Sequence, residues 1–146
     1  MASVFDVAGY ILKRCGALSA MKLQKLCYYA QAWSLVWDDE PLFAERIEAW
    51  ANGPVCPALY ARHRGIFKIE PGTLGGDATV LTETQRETVD VVCDAYCKLD
   101  AQQLSDLTHT EDPWRDARRG LPIGERGNVE ISLAAMAEYY GSLPPE

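Results

Sequence analysis

His109 is the residue in this sequence that most invites a catalytic reading. It stands in Asp106-Leu-Thr-His109-Thr-Glu-Asp112, and a histidine among carboxylates has the makings of a general base with an orienting acid. The rest of a catalytic apparatus does not follow. No nucleophile is marked by a local motif. Gly72-Thr-Leu-Gly-Gly76 has neither the Lys nor the following helix of a phosphate-binding loop. The pairs Glu45/Glu48 and Glu111/Asp112 are of a kind too common to imply acid–base chemistry. Composition and spacing give no enzyme and no cofactor, with His109 expected to be tied to a backbone group or carboxylate at a helix end.

The other chemistry-bearing residues are the cysteines. Cys15, Cys27, Cys56, Cys93 and Cys97 are odd in number and irregular in spacing, which reads as reduced thiols rather than a disulfide framework. Cys93 and Cys97, four apart, would need His63 or His109 to make a zinc site. The paired C-x2-C or H-x3-H spacing of structural zinc is missing, so no metal is expected.

Charge offers a different kind of site. Residues 1–70 carry 8 basic and 7 acidic groups, whereas residues 71–146 carry 6 basic and 14 acidic. Glu83, Glu87, Asp90 and Asp94 recur at steps of four, three and four, so on a helix they fall within about 60° of one another. They predict an acidic, solvent-facing stripe, either a plain solvated face or a docking surface for a basic partner. The net charge of −7 argues against nucleic acid or an anionic membrane as partner, because phosphate recognition needs clustered Lys and Arg. The dense basic cluster, Arg115, Arg118 and Arg119, lies beside Asp112 and Asp116. No run approaches the roughly 20 apolar residues of a membrane span. The N-terminus lacks a secretory pattern, so a cytoplasmic protein is expected.

The elements that must position these residues are mostly helices. Ser3-Val-Phe-Asp6 is a capping box, followed by Val4, Ala8, Ile11, Leu12 and Cys15 at helical steps, which predicts a helix over 3–15 stopped by Gly16. Ser19 opens a second helix to about Trp37. Leu23, Leu26, Cys27, Ala30, Trp33 and Trp37 form one stripe and Tyr28, Tyr29, Ala32, Leu35 and Val36 cover much of the remainder. A helix apolar nearly all round is buried, so 19–37 is the expected central helix. Lys22 and Lys25 lie in its first turn, the wrong end for the dipole, and are expected to be solvated or paired to carboxylates.

Arg46-Ile-Glu-Ala-Trp50 alternates like a strand, with Gly53-Pro54 as its end. Pro57 suits the first position of a short helix carrying Leu59, Tyr60 and His63. Residues 65–81 read as the main loop, with a short second strand at Ala78–Leu81. Thr82-Glu-Thr-Gln85 caps a helix to about Leu99, Asp100 caps a shorter one with Leu104 and Leu107, and Pro113 starts a short turn with Trp114. Ser132 caps a last helix with Leu133, Met136, Ala137 and Tyr140 inward and Gly141 as its stop. The expected fold is one mainly α domain over 1–146, with a small β-hairpin or two-stranded sheet, around the buried helix 19–37.

Three pieces together resemble a known family. They are Met21-Lys-Leu-Gln-Lys-Leu-Cys-Tyr-Tyr-Ala-Gln31, then Ile47-Glu-Ala-Trp-Ala-Asn-Gly-Pro-Val55 with Leu59-Tyr60, then Leu104-Ser-Asp-Leu-Thr-His-Thr-Glu-Asp-Pro-Trp114. In order and spacing they resemble the Panacea domain, with its phage-associated and SocA-like relatives, and the resemblance runs from about Val4 to Tyr140. It departs from the family at Cys27, at Asn52-Gly53 and at Pro57.

The resemblance implies an antitoxin of a bacterial or phage toxin–antitoxin pair, one that neutralises its cognate toxin by direct protein–protein binding. Partners in the family include translation-blocking toxins and toxins acting at membranes, and the acidic half suits a basic, translation-targeting one. Two alternatives stay open: a proteolytic adaptor delivering a toxin to an AAA+ protease, through the 65–81 loop or the tail from Leu143 to Glu146, and an enzyme reversing a toxin's product through His109. Carried over onto this chain, Tyr28, Tyr29, Trp50, Gly53, Pro54, Pro113 and Trp114 are motif positions with structural roles. Lys22, Gln24, Lys25, Tyr60 and His109 are the candidates for a partner-binding groove, beside the Glu83, Glu87, Asp90 and Asp94 stripe. The toxin's identity and the oligomeric state are not legible.

Overall fold

Eighteen residues, Ala20–Trp37 (α2), form the helix on which the others pack. Ser19 accepts a bond from the Lys22 amide and so caps the first turn. Leu23, Leu26, Cys27, Tyr28, Tyr29, Ala30 and Ala32 are all essentially inaccessible, as expected of a helix apolar on most sides. The stripe breaks at its end: Trp37 is 48% exposed, where its ring stacks on Trp33 at 4.9 Å.

The computed structural model describes residues 2–143. Among these, α1 spans Val4–Cys15, α3 Pro57–His63, α4 Glu83–Tyr96, α5 Ala101–His109, α6 Asp112–Ala117 and α7 Leu133–Gly141. Helices α1, α4, α5 and α7 pack directly on α2. The capping boxes at Ser3, Thr82 and Asp100 all form, with side chain and backbone bonded reciprocally. No helix among the described residues is long and apolar enough to cross a membrane.

The strands are short. β1 (Leu18–Ser19) pairs antiparallel with β4 (Lys68–Ile69). A three-stranded antiparallel sheet has the order β3-β2-β5, with β2 at Ile47–Trp50, β3 at Gly53–Val55 and β5 at Glu130–Ile131. The mainly α class with small sheets is as expected, but the strand count is higher. Gly53 and Pro54 do not end the hairpin; they belong to β3, and the turn is Ala51-Asn52. Pro54 is tolerated because β3 is an edge strand, where a missing N–H removes no ladder bond on the open side.

Other boundaries differ for local reasons. Ala78–Val80 is a turn of 3-10 helix, not a strand, because Asp77 captures the Thr79 amide. Helix α4 ends at Tyr96 rather than Leu99. Helix α7 runs through Gly141 to a cap at Ser142, and Leu133 is 44% exposed rather than inward. The stretch 65–81 is pinned at several points: Ile69, Leu74 and Leu81 are buried, and Arg62 bonds the Leu74 carbonyl at 2.9 Å. Gly76 passes so close to α1 that a Cβ there would lie 2.3 Å from the Phe5 carbonyl oxygen, which only glycine permits.

Gln31 secures the turn after α2. Its carbonyl accepts from the Leu42 and Phe43 amides at 2.7 and 3.3 Å, and its amide donates to the Phe43 carbonyl at 2.8 Å. All of these groups are buried. Replacing Gln31 with Met strands three backbone groups. It is expected to lower unfolding free energy by on the order of 3 kcal/mol, read as a lower urea midpoint at unchanged slope.

Candidate functional site

The β2–β3 hairpin is held from behind almost entirely through its main chain. The Trp114 indole donates to the Trp50 carbonyl at 2.8 Å, Ser105 donates to the Asn52 carbonyl at 2.6 Å, and Arg118 donates to the Ala49 carbonyl at 3.1 Å. At the far end Gln24 accepts from the Cys56 amide at 2.8 Å and donates to its carbonyl at 3.3 Å. These donors come from α2, α5, α6 and the residue that caps α6. The three motif stretches, distant in sequence, therefore meet around one short loop of backbone.

The outer side of the hairpin opens into a groove of about 720 Å³, lined by Glu48, Trp50 and Asn52 together with Met21, Tyr60 and Arg126. Strand alternation places Glu48 and Trp50 on the same face. Glu48 is held by the Trp50 indole at 2.8 Å and by an ion pair with Arg46. The Trp50 and Tyr60 rings meet edge to face at 5.0 Å, a geometry favoured by aromatic quadrupoles.

The sequence-predicted site residues divide in two. Tyr60 lines the groove. Gln24 is buried and committed to Cys56 and to the His63 ring, 2.9 Å away. Lys22 is half-buried and pairs with no carboxylate among the described residues: its ammonium bonds the Cys97 carbonyl that caps α4, where a cation complements the helix dipole. Lys25 is also unlike the expectation. It is 1% exposed and has no ion pair among the described residues, so burial acts on its amine and lowers its pKa from 10.5 to about 8. Its stem passes beside Gly53, where a Cβ would fall 2.7 Å from Lys25 Cε; together with the φ of 132° this requires glycine.

His109 stacks on Trp114 at 4.0 Å, nearly parallel. Its Nε2 is closed off from solvent with no hydrogen-bond partner among the described residues. Burial lowers its pKa, and the Lys25 charge adds to that, against the Asn52 carbonyl and Asp106.

Among the structural motif positions, Tyr28 and Tyr29 are buried in an aromatic cluster. The Tyr28 hydroxyl meets that of Tyr140 at 3.0 Å, and Tyr29 and Tyr140 both donate to Glu111, at 2.7 and 2.8 Å. Pro113 and Trp114 open α6 and are buried. Trp50, expected in a structural role with them, is half-buried and lines the groove.

The acidic stripe on α4 is not uniformly free. Asp90 accepts from the Tyr10 hydroxyl at 2.8 Å and pairs with Arg14 at 3.1 Å, and Asp94 pairs with the same guanidinium. Helix α1 thus occupies the C-terminal half of the stripe, leaving Glu83 and Glu87 exposed. All five cysteines are free, and Cys15 lies with Cys93 and Cys97 in one partly buried sulfur cluster, where desolvation pushes the Cys15 thiol up. Among the described residues no His, Cys, Asp and Glu side chains cluster in a way that holds a metal ion.

Ser105, Arg118 and Met21 escaped the sequence reading of the site. Ser105 and Arg118 act through single carbonyl contacts made across the fold, which leave no mark on periodicity.

Lys25 gives a pH-dependent test. Its folded pKa is lowered, so between pH 8 and 10.5 the unfolded chain holds more protons, and this group's contribution to stability rises with pH across that window. Below pH 8 the full penalty of a buried ammonium is present. Lys25→Met is expected to stabilise the protein at pH 7 by on the order of 3 kcal/mol. The advantage should shrink toward pH 10.5, read by urea denaturation at a series of pH values.

No curated protein and no solved structure matches the chain. A family model described as Antitoxin SocA-like, Panacea domain, matches residues 23–115, more than half the chain. That span takes in all three motif stretches but for Met21 and Lys22, and every residue that grips the hairpin except Arg118. The chain therefore belongs to the SocA-like antitoxin family defined by the Panacea domain.

Proposed function

We propose that this protein is a cytoplasmic antitoxin that neutralises a cognate toxin protein by direct binding, without catalysis. The outer face of the β2–β3 hairpin and its groove are the contact surface. One observation carries the reading. The polar motif residues Gln24, Ser105 and Trp114 are turned inward to hold hairpin backbone, so the family's signature is a mount for what the hairpin displays. The hairpin's Trp50 and Asn52 meet Met21 of α2, Tyr60 of α3 and Arg126 in the groove, an aromatic centre with a polar rim. That combination is typical of interface hot spots. His109 supports no catalytic role on its own, since its ring lies stacked on Trp114 with Nε2 enclosed. Glu83 and Glu87, exposed on α4, favour a basic toxin through faster encounter rather than tighter grip.

Co-expression with the neighbouring open reading frame tests the reading. Toxicity of that product alone, relief on co-expression and a co-purifying complex are expected. Trp50→Ala combined with Tyr60→Ala should weaken the complex by about thirtyfold or more, since a single central aromatic contributes roughly 2 kcal/mol, and should abolish rescue. His109→Gln should leave rescue intact. Loss of rescue by His109→Gln with the complex preserved would establish chemistry instead of occlusion. A toxin that disappears when this protein is present, and persists in a protease-deficient host, would establish a proteolytic adaptor.

A further inference from the structure

Between α6 and β5 the chain makes a tight excursion whose shape is set by one buried side chain. Arg118, 4% exposed, caps α6. Its guanidinium donates to the Pro122 carbonyl at 3.3 Å, to the Glu125 carbonyl and, on the hairpin, to the Ala49 carbonyl at 3.1 Å. The Glu125 amide closes back onto the Pro122 carbonyl at 3.1 Å, so residues 122–125 form a β-turn. Gly124, third of the four, has a φ of 87°, the positive value that a type II turn needs there. Ile123 takes the second position, at the tip.

Ile123 is 92% exposed. A lone exposed aliphatic residue is ordinary; this one differs because the backbone on both sides of it is fixed. Before the turn, the Leu121 amide bonds the Arg118 carbonyl at 2.9 Å. After it, Gly127 passes so close that a Cβ would fall 2.7 Å from Leu121 Cδ1 and 3.0 Å from the Arg118 guanidinium. The Ala49 amide then donates to the Val129 carbonyl at 2.8 Å, on the way into β5. A side chain presented on a set backbone has little freedom left to lose on binding. The same excursion supplies Arg126, Gly127 and Asn128 to the groove. One guanidinium therefore fixes the hairpin, a wall of the groove and the isoleucine relative to one another.

We propose that Ile123 is a second contact point for the toxin, a preset apolar peg that enters an aliphatic pocket of it beside the surface that covers the groove. The inference rests on the neutralisation reading and adds to the description of the partner. That partner is a folded protein whose face carries a projection for the groove and an apolar hollow next to it. A lipid surface fits less well. One isoleucine inserts little apolar area, the chain carries a net charge of −7, and Arg115 and Arg119 are paired with Asp112 and Asp116, which weakens any attraction to anionic headgroups. A peg by itself is also far short of the roughly 1,000 Å² that a stable pair of copies needs, whereas beside the groove it extends a contact.

The product of the neighbouring open reading frame is titrated by calorimetry into the parent protein and its variants. Because the side chain lies in water in the free protein, Ile123→Ala and Ile123→Asp should leave the urea midpoint unmoved. Both should weaken binding, the aspartate by about tenfold or more. No atom lies within 4 Å of the place a Gly124 side chain would take, so Gly124→Ala acts through strain on the turn. It should weaken binding and shrink the effect of adding Ile123→Ala, the non-additivity of two changes to one preset contact. Binding of Ile123→Asp within about threefold of the parent, with the Trp50→Ala and Tyr60→Ala pair still disruptive, overturns the peg and leaves the neutralisation reading standing. No binding by the parent overturns both. The peg also falls if the parent, but not Ile123→Asp, sediments with phosphatidylglycerol vesicles or self-associates without the neighbour's product. Those results assign the isoleucine to a membrane or to a second copy of the chain.

Discussion

The grip of buried side chains on the backbone between Ala49 and Cys56 is what the rest of this structure depends on. A two-residue turn and two strands of four and three residues would not persist alone in water. Here four carbonyls of this stretch meet side-chain donors from α2, α5, α6 and the residue that caps α6: Arg118 for Ala49, Trp114 for Trp50, Ser105 for Asn52, and Gln24 for Cys56. Each such bond contributes only about 1 kcal/mol net, but an unmet buried carbonyl costs about 1–3 kcal/mol. The set is therefore cooperative, and it ties the register of the sheet to the positions of α2, α5 and α6 at once.

Buried charge is handled in two opposite ways around α2. Glu111 enters the core on the side of the tyrosines and is met by two phenol hydroxyls. Burial raises its pKa while those bonds pull it down, so the carboxylate is solvated by the protein itself. Lys25, on the side of the hairpin, is left without an equivalent. A buried ammonium is costly, and its presence under the hairpin sets that end of the helix apart from the aromatic end.

Much of the scaffold was legible because the signals that specify it are local. Reciprocal caps at Ser3, Thr82 and Asp100, Pro57 at a helix start and the all-round apolar surface of residues 20–37 each act within one or two turns. The hairpin was half legible: the alternation over Ile47–Trp50 marked β2. Gly53-Pro54 looked like a stop, because the property that admits them, an open strand edge and a lysine stem against a missing Cβ, exists only in three dimensions. The same reason explains Lys22, Lys25 and Trp50. A lysine in a first helical turn reads as solvated until the elements around it close. The acidic stripe was visible as a pattern on one helix, but Arg14 and Tyr10, which occupy half of it, lie about 80 residues away.

The hairpin is clasped through peptide groups and not through its own outward side chains, which has a consequence for how such a molecule changes over generations. Peptide carbonyls are the same whatever residue carries them. Substitutions at positions such as 48, 50 and 52 leave the clasp undisturbed while altering the shape and charge presented outward. The architecture separates the apparatus that holds the hairpin from the lettering written on it, so the lettering is free to drift without renegotiating the fold.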